Sequence, residues 1–135
     1  MNIILCIDDK NGMLFNRRRQ SRDSVLCERV LAHSSKSNLW INEYSSSLFS
    51  PDTVKVDKNF FEKAEDGDYC FIEDDDFLPY LNKIKRIIIY RWNRVYPSDK
   101  KFDDSVLASR RLIESTDFKG SSHEKITEEI YEWQG

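Results

Sequence analysis

Met1–Lys10, MNIILCIDDK, is the stretch on which the fold turns. Asn2 to Ile7 is almost continuously apolar and ends at Asp8-Asp9, the signature of a strand covered on both faces rather than one alternating between core and solvent. Strands of that kind sit at the centre of parallel sheets. Leu39-Trp40-Ile41, Thr53 to Val56, Tyr69 to Ile72 and Ile84 to Tyr90 read as further strands, the last built on the β-branched run Ile87-Ile88-Ile89. Between them, Asp23 is placed to cap a helix whose apolar residues Val25, Leu26, Val30 and Leu31 recur at helical spacing. Phe60, Phe61 and Ala64 mark a short helix, and Asp76 to Leu81 another. This alternation predicts a mostly parallel sheet. After Pro97 it breaks. Leu107 to Phe118 lacks a helical stripe, Gly120-Ser121-Ser122 reads as a hairpin-like connection, and His123 to Trp133 follows, so two antiparallel strands should close one edge. Ile126, Ile130 and Trp133 also fit a helix, and the strand is preferred.

The chain has 135 residues, 39% of them hydrophobic and 13% aromatic, enough for a core and too few for two; we expect one α/β domain over residues 1–135. No apolar run is long enough to span a bilayer, and Asp8 interrupts the opening run too early for a signal peptide, so a cytoplasmic protein with no membrane partner is expected. Three cysteines without a CxxC pair fit neither a disulfide framework nor a zinc knuckle. Cys6 and Cys70 fall in strands and Cys27 in a helix, as small core residues.

A net charge of −3 gives no global pull toward nucleic acid, so electrostatic binding has to come from a local patch. Asp9 to Arg22, DKNGMLFNRRRQSR, reads as a long loop after the first strand, with Arg17, Arg18, Arg19 and Arg22 close together and leading into a helix N-terminus. Guanidiniums that fork onto phosphate or carboxylate oxygens, beside such a terminus, make an anion site. The competing expectation is a solvated loop paired with acidic strand ends. Asp8, Asp9, Glu43, Glu73, Asp74, Asp75 and Asp76 all follow strands, where open α/β sheets bind ligands, and can line a crevice for a hydrated Mg²⁺ or simply cap helices. Tyr90 to Pro97 interleaves Arg91 and Arg94 with Trp92 and Tyr96, a combination that stacks a base and holds its phosphate. The expected ligand edge is therefore Arg18, Arg19, Arg22, Asp23 and Asp8, faced by Arg91, Trp92, Arg94 and Tyr96. Arg19→Ala or Arg22→Ala should then weaken anion binding with little effect on stability. His123 has Ser121, Ser122 and Glu124 beside it, but no GxSxG elbow is present and a solvent-exposed hairpin histidine is expected.

The order and spacing resemble the dihydrofolate reductase family over the whole chain. The opening strand with its Asp, Gly12 in the following segment, and Asp23 at the head of the first helix are similar to the reductase opening. FLPYLNKIKRIIIYRWNRVYPSDKKF and the ending GSSHEKITEEIYEW occupy the places of its later strands. The resemblance implies a reductase-like scaffold in which a carboxylate placed like Asp23 holds a pterin ring. The residues depart from it where the reductases carry a glycine pair for the cofactor pyrophosphate. Here stand Glu73, Asp74 and Asp75, each of which repels a phosphate by about 1 kcal/mol at solvent dielectric. The Arg or Lys with Thr expected after the second strand is absent from NEYSSS at 42–47. No nicotinamide cofactor and no reductase activity are expected. The opening is also similar to short bacterial proteins sometimes labelled ribonuclease Z, a dinuclear zinc hydrolase; with only His33 and His123 present, no metal site is expected. The combined expectation is a binding module for an anionic, nucleotide-like or phosphorylated small molecule. A protein-interaction module and a metal-assisted phosphodiester hydrolase stand as alternatives.

Overall fold

The computed structural model describes residues 1–133. Strand β1 (Asn2–Ile7) lies inside a seven-stranded sheet, between β6 (Tyr69–Phe71) and β7 (Arg86–Arg91), parallel to both. The other members are β4 (Leu39–Ile41), β5 (Lys55–Val56), β9 (Arg110–Phe118) and β10 (Ile126–Trp133), and the order across the sheet is β5-β4-β6-β1-β7-β10-β9. Five strands run parallel, and β10 and β9 close one side antiparallel. The mostly parallel α/β sheet and the antiparallel C-terminal pair are as expected, and the last segment is a strand, with a register shift at Ile130/Tyr131.

The apolar opening run has the reason that sequence suggested, since successive β1 side chains enter two different cores. Ile3, Leu5 and Ile7 pack with Ile87, Ile89, Cys70 and Phe60 on one face, and Ile4 packs with Ile88, Tyr90, Leu26 and Val30 on the other. Helix α1 (Ser24–His33), capped by Asp23, covers the second face. The first is covered by the short helix α2 (Phe60–Lys63) and by Met13, Leu14 and Phe102. Among the described residues, no helix is long and apolar enough to cross a membrane.

Three local expectations are corrected. The stretch 9–22 is not a loop: β2 (Gly12–Phe15) and β3 (Arg18–Arg19) form a hairpin, joined by β8 (Lys100–Lys101) into a second, three-stranded sheet. Asn16 and Arg17, at φ 52° and 60°, make its two-residue turn; both are left-handed, matching strand twist, and Arg17 gives no sequence signal for that geometry. The helix expected over Asp76 to Leu81 is a 3-10 segment, Leu78–Lys83. The strand expected over Thr53 to Val56 keeps only Lys55–Val56, since a 3-10 turn takes Pro51–Thr53.

Across the α1 face, the buried Glu128 of β10 accepts hydrogen bonds from Tyr90 Oη (2.7 Å) and from Arg29 (Nη2–Oε1 3.0 Å), with His33 Nε2 at 3.0 Å. Burial alone would raise its pKa, but the His33, Arg29 and Tyr90 contacts outweigh that and bring it down to about 2. A carboxyl depressed in the folded state stabilises above its unfolded pKa and loses that contribution as pH falls toward the folded one. Glu128→Gln should therefore cost about 3 kcal/mol at neutral pH and flatten the loss of stability between about pH 4.5 and 2, as read by urea unfolding across that range.

Candidate functional site

The carboxyl ends of β1, β6 and β7 meet the β2–β3 hairpin at one rim of the sheet, and most of the predicted residues lie there. Asp8, just past β1, is buried and saturated: it accepts from the backbone N–H groups of Lys10 (2.8 Å), Gly12 (2.7 Å) and Tyr96 (3.1 Å) and from Gln20 Nε2 (3.0 Å). Burial pushes its pKa up, and these four donors pull it below the usual range. Gly12 is required here, because a Cβ would stand 2.6 Å from Gln20 Nε2 and 2.8 Å from Asp8 Oδ2. Asp8 fastens the hairpin and the 96–97 segment to β1 and leaves no lone pair facing a ligand.

The arginines part company. Arg19 forks onto Glu73 (Nε–Oε2 2.8 Å, Nη2–Oε1 2.9 Å), donates to the Tyr44 carbonyl (3.1 Å) and lies over the Tyr44 ring at 4.5 Å. Glu73, itself buried, also accepts from Ser45 Oγ (2.8 Å). Arg19 is therefore a structural cation. Arg91, the last residue of β7, is paired with Glu129 at 2.6 Å and lines neither of the cavities beside the hairpin. Arg18, Arg22 and Arg94 are exposed and form no ion pair among the described residues. Trp92 is buried, stacked on the His123 ring with centroids 4.6 Å apart.

Of the two readings of the acidic residues, a shared crevice or separate caps, the contacts made by Asp74, Asp75 and Asp76 are separate. Asp74 pairs with Lys100 (2.9 Å), Asp75 accepts from Asn42 (2.9 Å), and Asp76 accepts from the Leu78 N–H (3.2 Å). Among the described residues, no three His, Cys, Asp or Glu side chains are grouped to hold a metal ion. The thiols are passive, since burial drives Cys27 up to about 11 and Cys70 up to about 12.

Two cavities flank the hairpin. An open groove of about 500 Å³ is lined by Phe15, Asn16, Arg18, Arg19, Gln20, Tyr96 and Pro97. Behind it, a narrow cleft of about 20 Å³ lies between α1 and the sheet, among Met13, Ser21, Arg22, Leu26, Cys27 and Trp92. Arg18 and Tyr96, expected to share a site, line the same groove; Arg22 and Trp92 line the cleft.

Asp23 is fully enclosed. Its Oδ1 accepts from the N–H groups of Val25 (3.0 Å), Leu26 (3.2 Å) and Ser121 (2.9 Å), and its Oδ2 from Ser122 N–H (2.9 Å) and His123 Nδ1 (2.9 Å). Burial raises the carboxyl, yet the bonds from Ser122, His123, Ser121 and Leu26 outweigh it and hold the pKa far below the ordinary value. His123, expected in solvent, is buried between Trp92 and Asp23, with Nε2 at 2.9 Å from Ser21 Oγ and 3.3 Å from Tyr96 Oη. An ionised carboxylate only accepts, so Nδ1 carries the proton and donates to Asp23. Sequence gave no sign of this set, because Ser21 and His123 are 102 positions apart and neither stands in a motif.

This architecture is the dihydrofolate reductase fold. Among solved structures, a dihydrofolate reductase from Enterococcus faecalis complexed with NADP(H) and RAB-propyl is similar with a TM-score of 0.71, over 99% of this chain and 96% of that one, at 9% sequence identity. No family model and no curated protein matches the sequence.

Two outcomes follow from these contacts. Arg19→Ala leaves Glu73 buried without its cation and should lower stability by about 3 kcal/mol in chemical denaturation, whereas exposed Arg22→Ala should stay within about 0.5 kcal/mol. Gly120→Ala drives a Cβ into the Asp23 carboxylate and should lower stability by about 2 kcal/mol or more in the same assay.

Proposed function

We propose that the protein binds an anionic small molecule, nucleotide-like or phosphorylated, in the groove between the β2–β3 hairpin and the Tyr96-Pro97 segment. The observation that carries this is Arg18, a guanidinium at the groove wall with no carboxylate paired to it among the described residues, facing the aromatic surfaces of Phe15 and Tyr96. Phe15 is 45% exposed, unusual for a phenylalanine at a hairpin end and suited to stacking a planar ring. A forked guanidinium contact then fixes the phosphate, and a volume near 500 Å³ suits a mononucleotide-sized ligand.

Of the residues expected to contact the ligand, Arg18 and Tyr96 carry this proposal, with Arg94 exposed on the neighbouring turn. Arg19 and Asp8 hold the groove walls in place. The reductase that shares the fold is complexed with NADP(H). The residues here do not fit a pyrophosphate at the rim beyond β6. Buried Glu73 is locked to Arg19 and Ser45 there, and Asp74 brings a second negative charge. Hydride chemistry on that cofactor is therefore no part of the proposal, and the ligand sits on the hairpin side.

Thermal-shift titration with adenosine monophosphate and with inorganic pyrophosphate tests it. A ligand at a hundredfold its Kd stabilises by about 2.7 kcal/mol, so binding should be visible as a rise in Tm. Arg18→Ala should abolish the rise, Arg18→Lys should restore it only in part because an ammonium cannot fork, and Arg111→Ala on the remote strand β9 should leave it intact. A rise that survives Arg18→Ala, or no rise with either anion at millimolar concentration, overturns the reading.

A further inference from the structure

Ser21, Arg22 and Asp23 form the short connection from the hairpin into α1, and the β9–β10 turn brings His123 against it. The result is a linear array: Ser21 Oγ to His123 Nε2 at 2.9 Å, and His123 Nδ1 to Asp23 Oδ2 at 2.9 Å. Hydroxyl, imidazole and carboxylate each lie within hydrogen-bond reach of the next, the spacing a serine triad requires irrespective of chain order. Order here is Ser, Asp, His.

We propose that Ser21, His123 and Asp23 constitute an acyl-transfer centre acting on esters of short carboxylic acids. Geometry beyond the three residues supports this. Ser21 is half-buried, not sealed, and lines the cleft whose walls include Met13, Leu26, Cys27 and Trp92 and the Arg19–Glu73 pair. At about 20 Å³ that cleft has room for a group the size of a methyl and little more, which selects an acetyl or formyl donor. Arg22 lines the same cleft and forms no ion pair among the described residues, and the Glu73 carboxylate that also lines it is neutralised by Arg19. Trp92 stacked on the imidazole and the enclosed Asp23 fix the ring against rotation.

Each step balances. Ser21 Oγ forms a bond to the ester carbonyl carbon as its proton passes to His123 Nε2, and Asp23 offsets the imidazolium charge through Nδ1–H. The tetrahedral intermediate expels the alcohol oxygen, which takes the proton back from Nε2, leaving the acyl group on Ser21. Water, deprotonated by Nε2, attacks that carbonyl; the C–Oγ bond breaks, Oγ regains the proton, and the acid leaves. Net, ester and water give acid and alcohol, with no other reactant.

The decisive experiment treats the folded protein with methanesulfonyl fluoride, whose methyl group the cleft can hold, and maps the adduct by peptide mass spectrometry, alongside hydrolysis of p-nitrophenyl acetate. One methanesulfonyl group on Ser21, formed with loss of fluoride, is expected, absent in Ser21→Ala and formed at least about 100-fold more slowly in His123→Gln, with ester hydrolysis falling in parallel. Ser21→Ala removes a single hydroxyl and should keep the wild-type circular dichroism spectrum, so it remains informative even where the histidine variant unfolds. No adduct, or an adduct elsewhere that persists in Ser21→Ala, overturns the proposal. None of these readouts depends on Arg18, so this centre and the anion groove stand or fall separately.

Discussion

The Asp23 carboxylate is the contact on which the rest of the rim depends. One side chain gathers donors from two places far apart in sequence: the first turn of α1 and the turn at 120–123 that joins the last two strands. A helix N-terminus leaves backbone N–H groups without partners, and an acceptor that satisfies them while also satisfying a hairpin turn ties the helix layer to the antiparallel edge of the sheet. Because the carboxylate is enclosed, those bonds are made in a medium of low effective dielectric, where losing any of them leaves a buried group unpaired. The absence of a side chain at Gly120 is what lets the turn approach.

A second carboxylate, Asp8, does the corresponding work at the end of β1. It draws in the hairpin through Gly12 and Gln20, and the 96–97 segment through the Tyr96 N–H. The groove between hairpin and segment therefore has walls fixed to the central strand, and its shape follows from β1. Arg19 and Glu73 complete the frame on the other side, so that of four clustered arginines only some remain for solutes. Arg19, paired and half-buried, serves stability, and its exposed neighbour Arg18, beside aromatic surface, is the one proposed for recognition.

The reductase fold of this chain thus carries different furniture at its rim. Where the resemblance implies a carboxylate holding a pterin, Asp23 is spent on backbone donors and an imidazole. Where glycines would admit a pyrophosphate, Glu73 fills the space with an ion pair. Scaffold and chemistry separate because the sheet is specified by apolar alternation in the strands, and the rim by loop residues that the sheet does not constrain.

By itself, the sequence determined most of the sheet and its first helix: the continuous apolar runs of β1 and β7 and the capped α1 are local patterns whose period names the element, whereas Ile126, Ile130 and Trp133 in β10 fit strand and helix alike. It also marked Asp23, Asp8, Arg18 and Tyr96 as residues of the rim. Only the tertiary structure decided what they do. The β2–β3 hairpin was illegible because its turn places Arg17 at positive φ, which no propensity favours. The fates of Arg18 and Arg19 differ because adjacent residues on a strand point to opposite faces, and which face meets Glu73 depends on where β6 ends. Ser21 and His123 meet because one carboxylate joins a helix start to a hairpin nearly a hundred residues later, and a contact of that range leaves no periodic trace in the chain.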